Sequence, residues 1–445
     1  MITKEPELRV GVLESYALVR GTLEGSFVDA GGTERHGDFV CTPEGSGVRI
    51  SFSKGAGEIS SREAVLTPAD PDASFVLHDV TIGVKFHWER KESQTFRGSL
   101  RLLSRPGKGI TAINVVPLEE YLKSVISSEM SATAPTALLK AHAITSRSWL
   151  VAMLERAAES GHVPHAATAV DANTSEVIRW YTREDHDIYD VCADDHCQRY
   201  QGVTKIISPA VSSAVDETRG AFLTHGGRIC DARFYKACGG LTEKFDSCWE
   251  DQEVPYLVSV ADAPSSFAPI TSDGQMREWI TSPPEAFCNT TDASILRQVL
   301  PSFDQETTDF FRWKVEYGRT ELEELLLRKS GIRFGSLRAL VPLKRGPSGR
   351  IVRLRIEGTE RTIIVGKELE IRRWLSPSHL YSSAFVVETR RDSDGMPLQF
   401  ILRGAGWGHG VGLCQIGAAV MAIRGFGANQ IVQHYFRGAD VKKLY

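Results

Sequence analysis

The spacing of apolar residues predicts a β-rich region followed by two helices. The first 110 residues contain short apolar or alternating runs, separated by polar clusters that are rich in glycine, as strands and turns are. These runs are "LRVGVLES", "GVRISFS", "VTIGVKFHW" and "FRGSLRLLS". Pro117 then favours a helix start, and a second helix is expected from Pro135 to about Ala158. Further strands are expected at "IVRLRIEG", "RTIIVG" and "AFVVETR". The pattern predicts a mixed α+β fold that is rich in β-structure.

The first predicted helix has an acid on its apolar stripe. Leu118, Leu122 and Val125 recur at helical spacing, and the next position on that stripe is Glu129. The other charges of the helix are expected to face solvent: Glu119, Glu120 and Lys123.

The second predicted helix repeats this anomaly with the opposite charge. Its stripe of Leu139, Ala143, Leu150 and Leu154 has Arg147 at the central position. An unpaired buried charge is very costly. A structural ion pair, an arginine whose head reaches water, and a functional site all fit the pattern.

The chain has no internal repeat and no clean linker. We divide it into a β-rich part at 1–110, the helices with a cysteine–histidine region at 111–262, an α/β insertion or second subdomain at 263–400, and a glycine-rich strand with helices at 401–445 that completes the core.

Composition narrows the class of protein. The 445 residues are 42% hydrophobic and 24% charged, with a net charge of -4, which is typical of a soluble globular chain. No basic run is present, which argues against nucleic-acid binding. No apolar stretch reaches the roughly 18–20 residues of a transmembrane helix. We expect no signal peptide at "MITKEPELRVGVLESY", which leaves a cytoplasmic location and a removed leader both open.

A dense cysteine–histidine cluster predicts a metal site. The segment "HDIYDVCADDHCQRYQG" contains His186, Cys192, His196 and Cys197, and zinc favours four such ligands in a structural site. The alternative is that Cys192 and Cys197 form a disulfide or stay free. Cys238 is the first substitute for a ligand that does not bind.

Alternate glycines at 404–412 form the second chemical signal. In an extended strand they would share one face, leaving Trp407 and His409 on the other. The bare face would let another backbone or a ligand approach, and the aromatic side suits sugar binding. A nucleotide-binding loop fits poorly because no Walker lysine follows. Strand packing alone is an equal alternative.

Together these segments resemble one family. "NVVPLEEYLKSVISSEM", "ALLKAHAITSRSWLVAML", "YKACGGLTEKFDSCW" and "GWGHGVGLCQIGAAVMAIRG" occur in the order seen in the stage II sporulation protein D / amidase-enhancer family. The resemblance runs over nearly the whole chain from "LRVGVLES". It implies a peptidoglycan lytic transglycosylase.

The resemblance also implies roles for individual residues. Glu129 corresponds to the catalytic acid, Arg147 to an arginine that lines the site, and Tyr235 to a tyrosine of the cleft. Some members bind zinc on a similar loop, which in this chain contains His186, Cys192, His196 and Cys197. We add further substrate-binding candidates: Gln198, Trp407, His409 and Gln415.

Glu129 suits this chemistry. Glycosidic cleavage needs an acid that keeps its proton near neutral pH, and burial against apolar neighbours raises a glutamate pKa, as it does for the catalytic acid of lysozyme. A hydrolase usually needs a second carboxylate, whereas in a transglycosylase the C6 hydroxyl of the muramic acid attacks and forms a 1,6-anhydro ring. A nearby Arg147 would lower that pKa, so we expect Arg147 to pair elsewhere or to contact sugar.

Other functions remain open at this point. The chain could be a non-catalytic module that binds peptidoglycan glycan strands or muropeptides, or that stimulates a cell-wall amidase. A zinc hydrolase is a third option, which predicts an open metal position.

Overall fold

The computed structural model describes residues 2–53, 57–82, 90–131, 133–160, 175–181, 186–194, 197–206, 208–300 and 309–445. With 26% helix and 38% strand, the fold is α+β and rich in β-structure, which confirms the predicted class.

The described strands follow one another in this order: β1 (Glu7–Tyr16), β2 (Val19–Asp29), β3 (Glu34–Glu44), β4 (Gly47–Phe52), β5 (Glu58–Ser61), β6 (Glu63–Pro68), β7 (Ser74–Ile82), β8 (Arg90–Arg97), β9 (Ser99–Arg105), β10 (Gly109–Pro117), β11 (Glu176–Ile178), β12 (Val191–Cys192), β13 (Ala221–His225), β14 (Arg228–Ile229), β15 (Phe234–Tyr235), β16 (Arg312–Gly318), β17 (Leu337–Arg345), β18 (Ile351–Gly358), β19 (Thr362–Gly366), β20 (Phe385–Arg391), β21 (Pro397–Ala405), β22 (Leu413–Cys414) and β23 (Asp440–Lys443).

The described helices are α1 (Leu118–Glu129), α2 (Thr136–Ser160), α3 (Pro209–Glu217), α4 (Asp273–Thr281), α5 (Ala293–Val299), α6 (Arg319–Ser330), α7 (Glu368–Trp374), α8 (Gln415–Ile423) and α9 (Ala428–Tyr435). None of them combines the length and the apolar character that crossing a membrane requires.

The N-terminal strands form the largest sheet. Its order is β12-β1-β10-β9-β6-β2-β3-β4-β5, with β7 paired to β2 and β8 paired to β7. The strands alternate as a half-buried sheet should: Val48, Ile50 and Phe52 of β4 point into the core, while Arg49 faces out. The short β12 joins the edge of the sheet beside β1 in parallel, through Val10 with Val191 and Gly11 with Cys192.

A second apolar core lies in the C-terminal half. It is built on β16-β21-β20, on the sheet β11-β19-β18-β17, and on α6 and α7. The main core instead joins the N-terminal strands to α1, α2 and the residues after Val411. The proposed four-part division of the chain stays an interpretation; the second core falls mostly within its third part.

Helix α2 is buried on all sides through its middle. Every residue from 141 to 153 is buried, including the polar ones, as expected of a helix at the centre of a core. Its polar side chains therefore need partners inside the protein.

The charge of Arg147 is paired within this core. Its guanidinium is fully buried and donates to both carboxylate oxygens of Glu119, at 3.0 and 2.7 Å. It also donates to the Ala221 carbonyl at 3.1 Å. Glu119 in turn accepts from Tyr445 Oη at 2.6 Å and from the Gly220 N–H at 3.2 Å.

This pair corrects one expectation and answers another. Glu119 is only 1% exposed, so its placement on a solvent-facing side was wrong: α1 is covered on that side by α2 and α3. Of the alternatives for Arg147, the structure shows the structural ion pair. We expected Arg147 to pair with a group other than Glu129 or to contact sugar, and it pairs with Glu119.

Breaking this pair should destabilise the protein strongly. Arg147→Met leaves Glu119 buried without its countercharge, and we expect a loss of about 3–5 kcal/mol in the free energy of unfolding. Urea denaturation measures the loss.

The control is Arg228→Met, which removes an exposed arginine from its pair with Glu159 and should change stability little. Equal effects of the two substitutions would contradict a structural role for the buried pair.

Candidate functional site

Glu129 is the last residue of α1 and is half-buried. The apolar stripe that leads to it is fully buried at Leu118, Leu122 and Val125. At Met130 the backbone becomes extended, with φ -121 and ψ 152, so the chain turns away just after the acid. Glu129 is therefore neither fully exposed nor sealed inside the core.

The loop at 197–206 packs against the same helix. The Gln201 N–H donates to Ser124 Oγ at 3.0 Å. The Tyr200 ring stacks on Tyr121, with centroids 5.0 Å apart, and its hydroxyl donates to Asn114 at 2.6 Å. These contacts hold Tyr200 and Gln201 against the middle of α1.

His142 links the start of α2 to the C-terminal segments. Gln415 Nε2 donates to His142 Nε2 at 3.1 Å, and the other ring nitrogen lies 3.2 Å from Ser146 Oγ. The ring also packs on Phe234 at 4.5 Å. Burial, reinforced by the charge of Lys236, lowers the pKa of His142 to about 3, so the imidazole is neutral and accepts from Gln415.

The glycine-rich segment is not an extended strand. Strand β21 ends at Ala405, and from there Gly406, Gly408, Gly410 and Gly412 all have positive φ. The expectation of one glycine face on a strand was therefore wrong. The close approach that it implied is present, because a Cβ on Gly412 would overlap the Arg233 carbonyl.

Two buried charged residues, Glu243 and Arg350, hold this segment in place. The Glu243 N–H donates to the Gly410 carbonyl at 2.7 Å, and Arg350 donates to the Gly408 carbonyl at 3.1 Å. Ser348 joins the two, donating to Glu243 at 2.6 Å and accepting from Arg350 at 2.9 Å. Burial raises the pKa of Glu243, against hydrogen bonds that oppose the shift.

Sequence reasoning missed both residues. Glu243 follows the Gly-Gly pair of "KACGGLTE", and Arg350 comes directly before strand β18. Neither residue stands out in the sequence, because Glu243 is followed by Lys244 and Arg350 is followed three residues later by Arg353.

Aromatic rings surround Trp407 and His409. Trp407 stacks on Phe310 at 4.8 Å and meets Tyr381 edge-on at 4.6 Å. His409 lies edge-on to Tyr235 at 5.2 Å and to Trp249 at 5.1 Å. The His409 ring accepts from the Val411 N–H and its other nitrogen lies 3.1 Å from the Phe234 carbonyl, so that nitrogen carries the proton.

The predicted site residues divide by exposure. Glu129, Trp407 and His409 are partly exposed. The others are buried: Arg147, Gln198, Tyr235 and Gln415. Among the described residues, neither the Tyr235 hydroxyl nor the Gln198 side-chain amide has a hydrogen-bond partner in the protein. Such groups favour a bound molecule or water as their partner.

Three of the four predicted zinc ligands are close together. The Cys197 sulfur lies 3.4 Å from His186 Nε2, and the ligand atoms of His186, Cys192 and Cys197 all lie within 4.8 Å of one another. Two thiols and an imidazole fit the chemistry of zinc. His196 lies outside the described residues. Cys238 does not join this loop; it lies in a different, buried cluster with Asp262, Cys288 and Cys414.

Comparison with known proteins finds a family match for part of the chain. The stage II sporulation protein (SpoIID) family profile matches residues 106–225, which contain α1 and α2. A domain of unknown function (DUF8618) matches residues 243–412. Stage II sporulation protein D of Bacillus amyloliquefaciens is 24% identical over 75% of this chain and 76% of its own length.

These similarities support a relationship of this chain to the SpoIID family. Stage II sporulation protein D of Bacillus subtilis (strain 168) is 23% identical over 75% of the chain and 76% of its own length. An uncharacterized protein of Brachyspira hyodysenteriae is 24% identical over 74% of the chain and 67% of its own length. The similarity to the SpoIID family supports a function related to the cell wall.

The packing at Gly410 gives a direct test of how the glycine segment is held. Gly410→Ala adds a Cβ that would overlap the Arg350 guanidinium, at a residue with φ +86. We expect a loss of about 1–2 kcal/mol from the backbone conformation and about 1–3 kcal/mol more from overpacking.

The matched control is Gly395→Ala, at φ +79 with open space around it, which carries only the backbone cost. Thermal unfolding compares the two variants, and equal losses would show that the contact with Arg350 carries no weight.

The low pKa of His142 predicts a pH dependence of stability. A histidine in the unfolded chain takes up a proton near its ordinary pKa of 6.5, whereas buried His142 stays neutral to about 3. Stability should therefore fall as pH drops through 6.5. His142→Gln, which keeps an acceptor for Gln415, should reduce the loss between pH 7 and pH 5.

Urea denaturation at several pH values measures this, with His36→Gln, at an exposed position of β3, as the control. If both variants keep the pH slope of the parent protein, His142 is not the source of the dependence.

Proposed function

We propose that this protein is a lytic transglycosylase that cleaves the β-1,4 bond between MurNAc and GlcNAc in peptidoglycan glycan strands. Glu129 protonates the departing oxygen and then, as the carboxylate, removes the proton of the C6 hydroxyl as the 1,6-anhydro ring forms. The observation that carries the proposal is the half-buried Glu129 at the end of α1, in the segment that the SpoIID family profile matches.

The proposal requires Glu129 to hold a proton near neutral pH. Glu129 lies at the C-terminal end of a twelve-residue helix, where the partial negative charge of the helix disfavours a carboxylate. The buried stripe beside it also limits hydration of the charged form. Arg147, the arginine that the sequence pattern brought near Glu129, pairs with Glu119 instead.

The second half of the site supplies the surface for the sugar. Trp407 and His409 are partly exposed and their rings are fixed by neighbouring aromatic residues. Apolar sugar faces pack on such rings while a polar neighbour hydrogen-bonds the hydroxyls. In this proposal Trp407 and His409 contact the glycan.

The buried residues of the site act as its support. Arg147 fixes α1 against α2, and Gln415 fixes the start of α8 against His142. Tyr235, which lies against His409, and Gln198 are buried and offer hydrogen-bonding groups to a ligand or water that reaches them. Zinc in the loop of His186, Cys192 and Cys197 would fix that loop to the edge of the main sheet, next to Gln198.

Glu129→Gln is the decisive substitution. It keeps the size and hydrogen-bonding shape of the side chain but cannot deliver or accept the proton. We expect normal folding and a loss of about 10²-fold or more in the rate of glycan cleavage. Mass spectrometry of digested glycan strands, with and without stem peptides, measures the release of products that end in 1,6-anhydro-MurNAc.

Glu120→Gln is the matched control, because Glu120 lies on the same helix and pairs with Lys123. It should leave cleavage unchanged. Anhydro products at the parent rate from Glu129→Gln would remove this acid from the mechanism. Unaltered glycan that binds to the parent protein would favour a non-catalytic peptidoglycan-binding module or an amidase enhancer instead.

A further inference from the structure

We propose a second metal site, a closed structural zinc centre made by Cys238, Asp262, Cys288 and Cys414. All four residues are buried, and one ligand atom from each lies within 4.8 Å of the others. Three thiols and one carboxylate are a complete ligand set for tetrahedral zinc. The inference does not depend on the proposed activity or on the loop of His186.

The sulfur geometry favours a metal over a disulfide. The sulfurs of Cys238 and Cys288 are 3.3 Å apart. A disulfide bond would require about 2.05 Å, whereas two thiolates on one tetrahedral zinc ion lie about 3.8 Å apart, given a Zn–S bond of about 2.3 Å. The third sulfur, of Cys414, accepts from the Cys238 N–H at 3.3 Å. All three sulfurs therefore lie together in one cluster.

Backbone N–H groups point at the sulfurs as they do around thiolate ligands. The Gly240 N–H donates to the Cys238 sulfur at 3.3 Å, and the Gly417 N–H donates to the Cys414 sulfur at 3.4 Å. Cys414 is also the N-cap of α8, where the helix favours a thiolate. Arg312, which donates to the Gly239 carbonyl at 3.0 Å, adds a positive charge beside the cluster.

The carboxylate of Asp262 is oriented from both sides. It accepts from Tyr435 Oη at 2.6 Å and from the Cys288 N–H at 2.8 Å. Gly417 makes room for it, because a Cβ there would overlap the carboxylate and the Tyr435 hydroxyl. Hydrogen bonds that orient a ligand in this way are a regular feature of metal sites.

The ligands come from separate parts of the chain. Asp262 and Cys288 lie inside the segment that matches the domain of unknown function, and Cys238 and Cys414 lie just outside its two ends. Tyr235 pairs in register with Cys414 across β15 and β22. A metal here would tie the segment matched at 243–412 to the residues at its two ends and fix the end of the glycine-rich segment beside Tyr235.

The test uses a variant without the two cysteines of the His186 loop, so that of these two sites only the buried cluster can hold zinc. The double variant Cys192→Ser/Cys197→Ser, purified from zinc-supplemented cells, should retain about one zinc ion per chain. Elemental analysis measures the metal. X-ray absorption at the zinc edge should show about three sulfur ligands near 2.3 Å and one oxygen ligand near 2.0 Å.

Adding Cys288→Ser to that background should remove the zinc. Adding Cys41→Ser, at a core position of β3 outside the cluster, should not. Absence of zinc from the double variant, iron in its place, or a disulfide between Cys238 and Cys288 in the intact protein would each overturn the proposal.

Gly417→Ala tests the site without removing a ligand. An alanine normally stabilises a helix relative to glycine, but here it would displace the Asp262 carboxylate. When Gly417→Ala is added to the Cys192→Ser/Cys197→Ser variant, we expect faster release of zinc to a chelator and a lower melting temperature. Unchanged zinc release would contradict the role of Asp262 as a ligand.

Discussion

The buried ion pair between Glu119 and Arg147 is the constraint on which the candidate site depends. Two charges removed from water must keep near-ideal geometry to be tolerated, and here the guanidinium also binds the Ala221 carbonyl while the carboxylate also binds the backbone at Gly220. The pair therefore fixes α1 against α2 and against the strand β13. Because Glu129 ends α1, its position is set by the same contact, ten residues earlier along the helix.

Apolar periodicity was sufficient to predict the main elements but not which sides they bury. The helix expected after Pro117 is present at Leu118–Glu129, and the one expected from Pro135 to about Ala158 runs over Thr136–Ser160. Periodicity assumes one solvent-facing side, and α1 is covered on two, so Glu119 was misplaced. The two anomalous charges, Glu129 and Arg147, were visible in the sequence, but their different environments were decided by tertiary packing.

The rest of the site depended on contacts between distant segments, which no local pattern reports. The sequence motifs indicated a resemblance to the SpoIID family, and the comparisons confirm that resemblance. The glycine-rich segment was recognised, yet its alternate left-handed residues and its support by Glu243 and Arg350 were not. The cluster of Cys238, Asp262, Cys288 and Cys414 spans 177 positions of the chain, counted inclusively from 238 to 414, so its members become neighbours only in the folded protein.

The central claim is that a glycosidic oxygen lies within reach of the carboxyl at position 129 when a glycan is bound along Trp407 and His409. A crystal structure of the inactive Glu129→Gln variant with a bound peptidoglycan oligosaccharide tests this most directly. The account predicts a bridging oxygen about 2.6–3.2 Å from the side-chain amide at that position, with a sugar face against Trp407. A glycan bound elsewhere, or one whose bridging oxygens all lie beyond hydrogen-bonding distance of position 129, would contradict it.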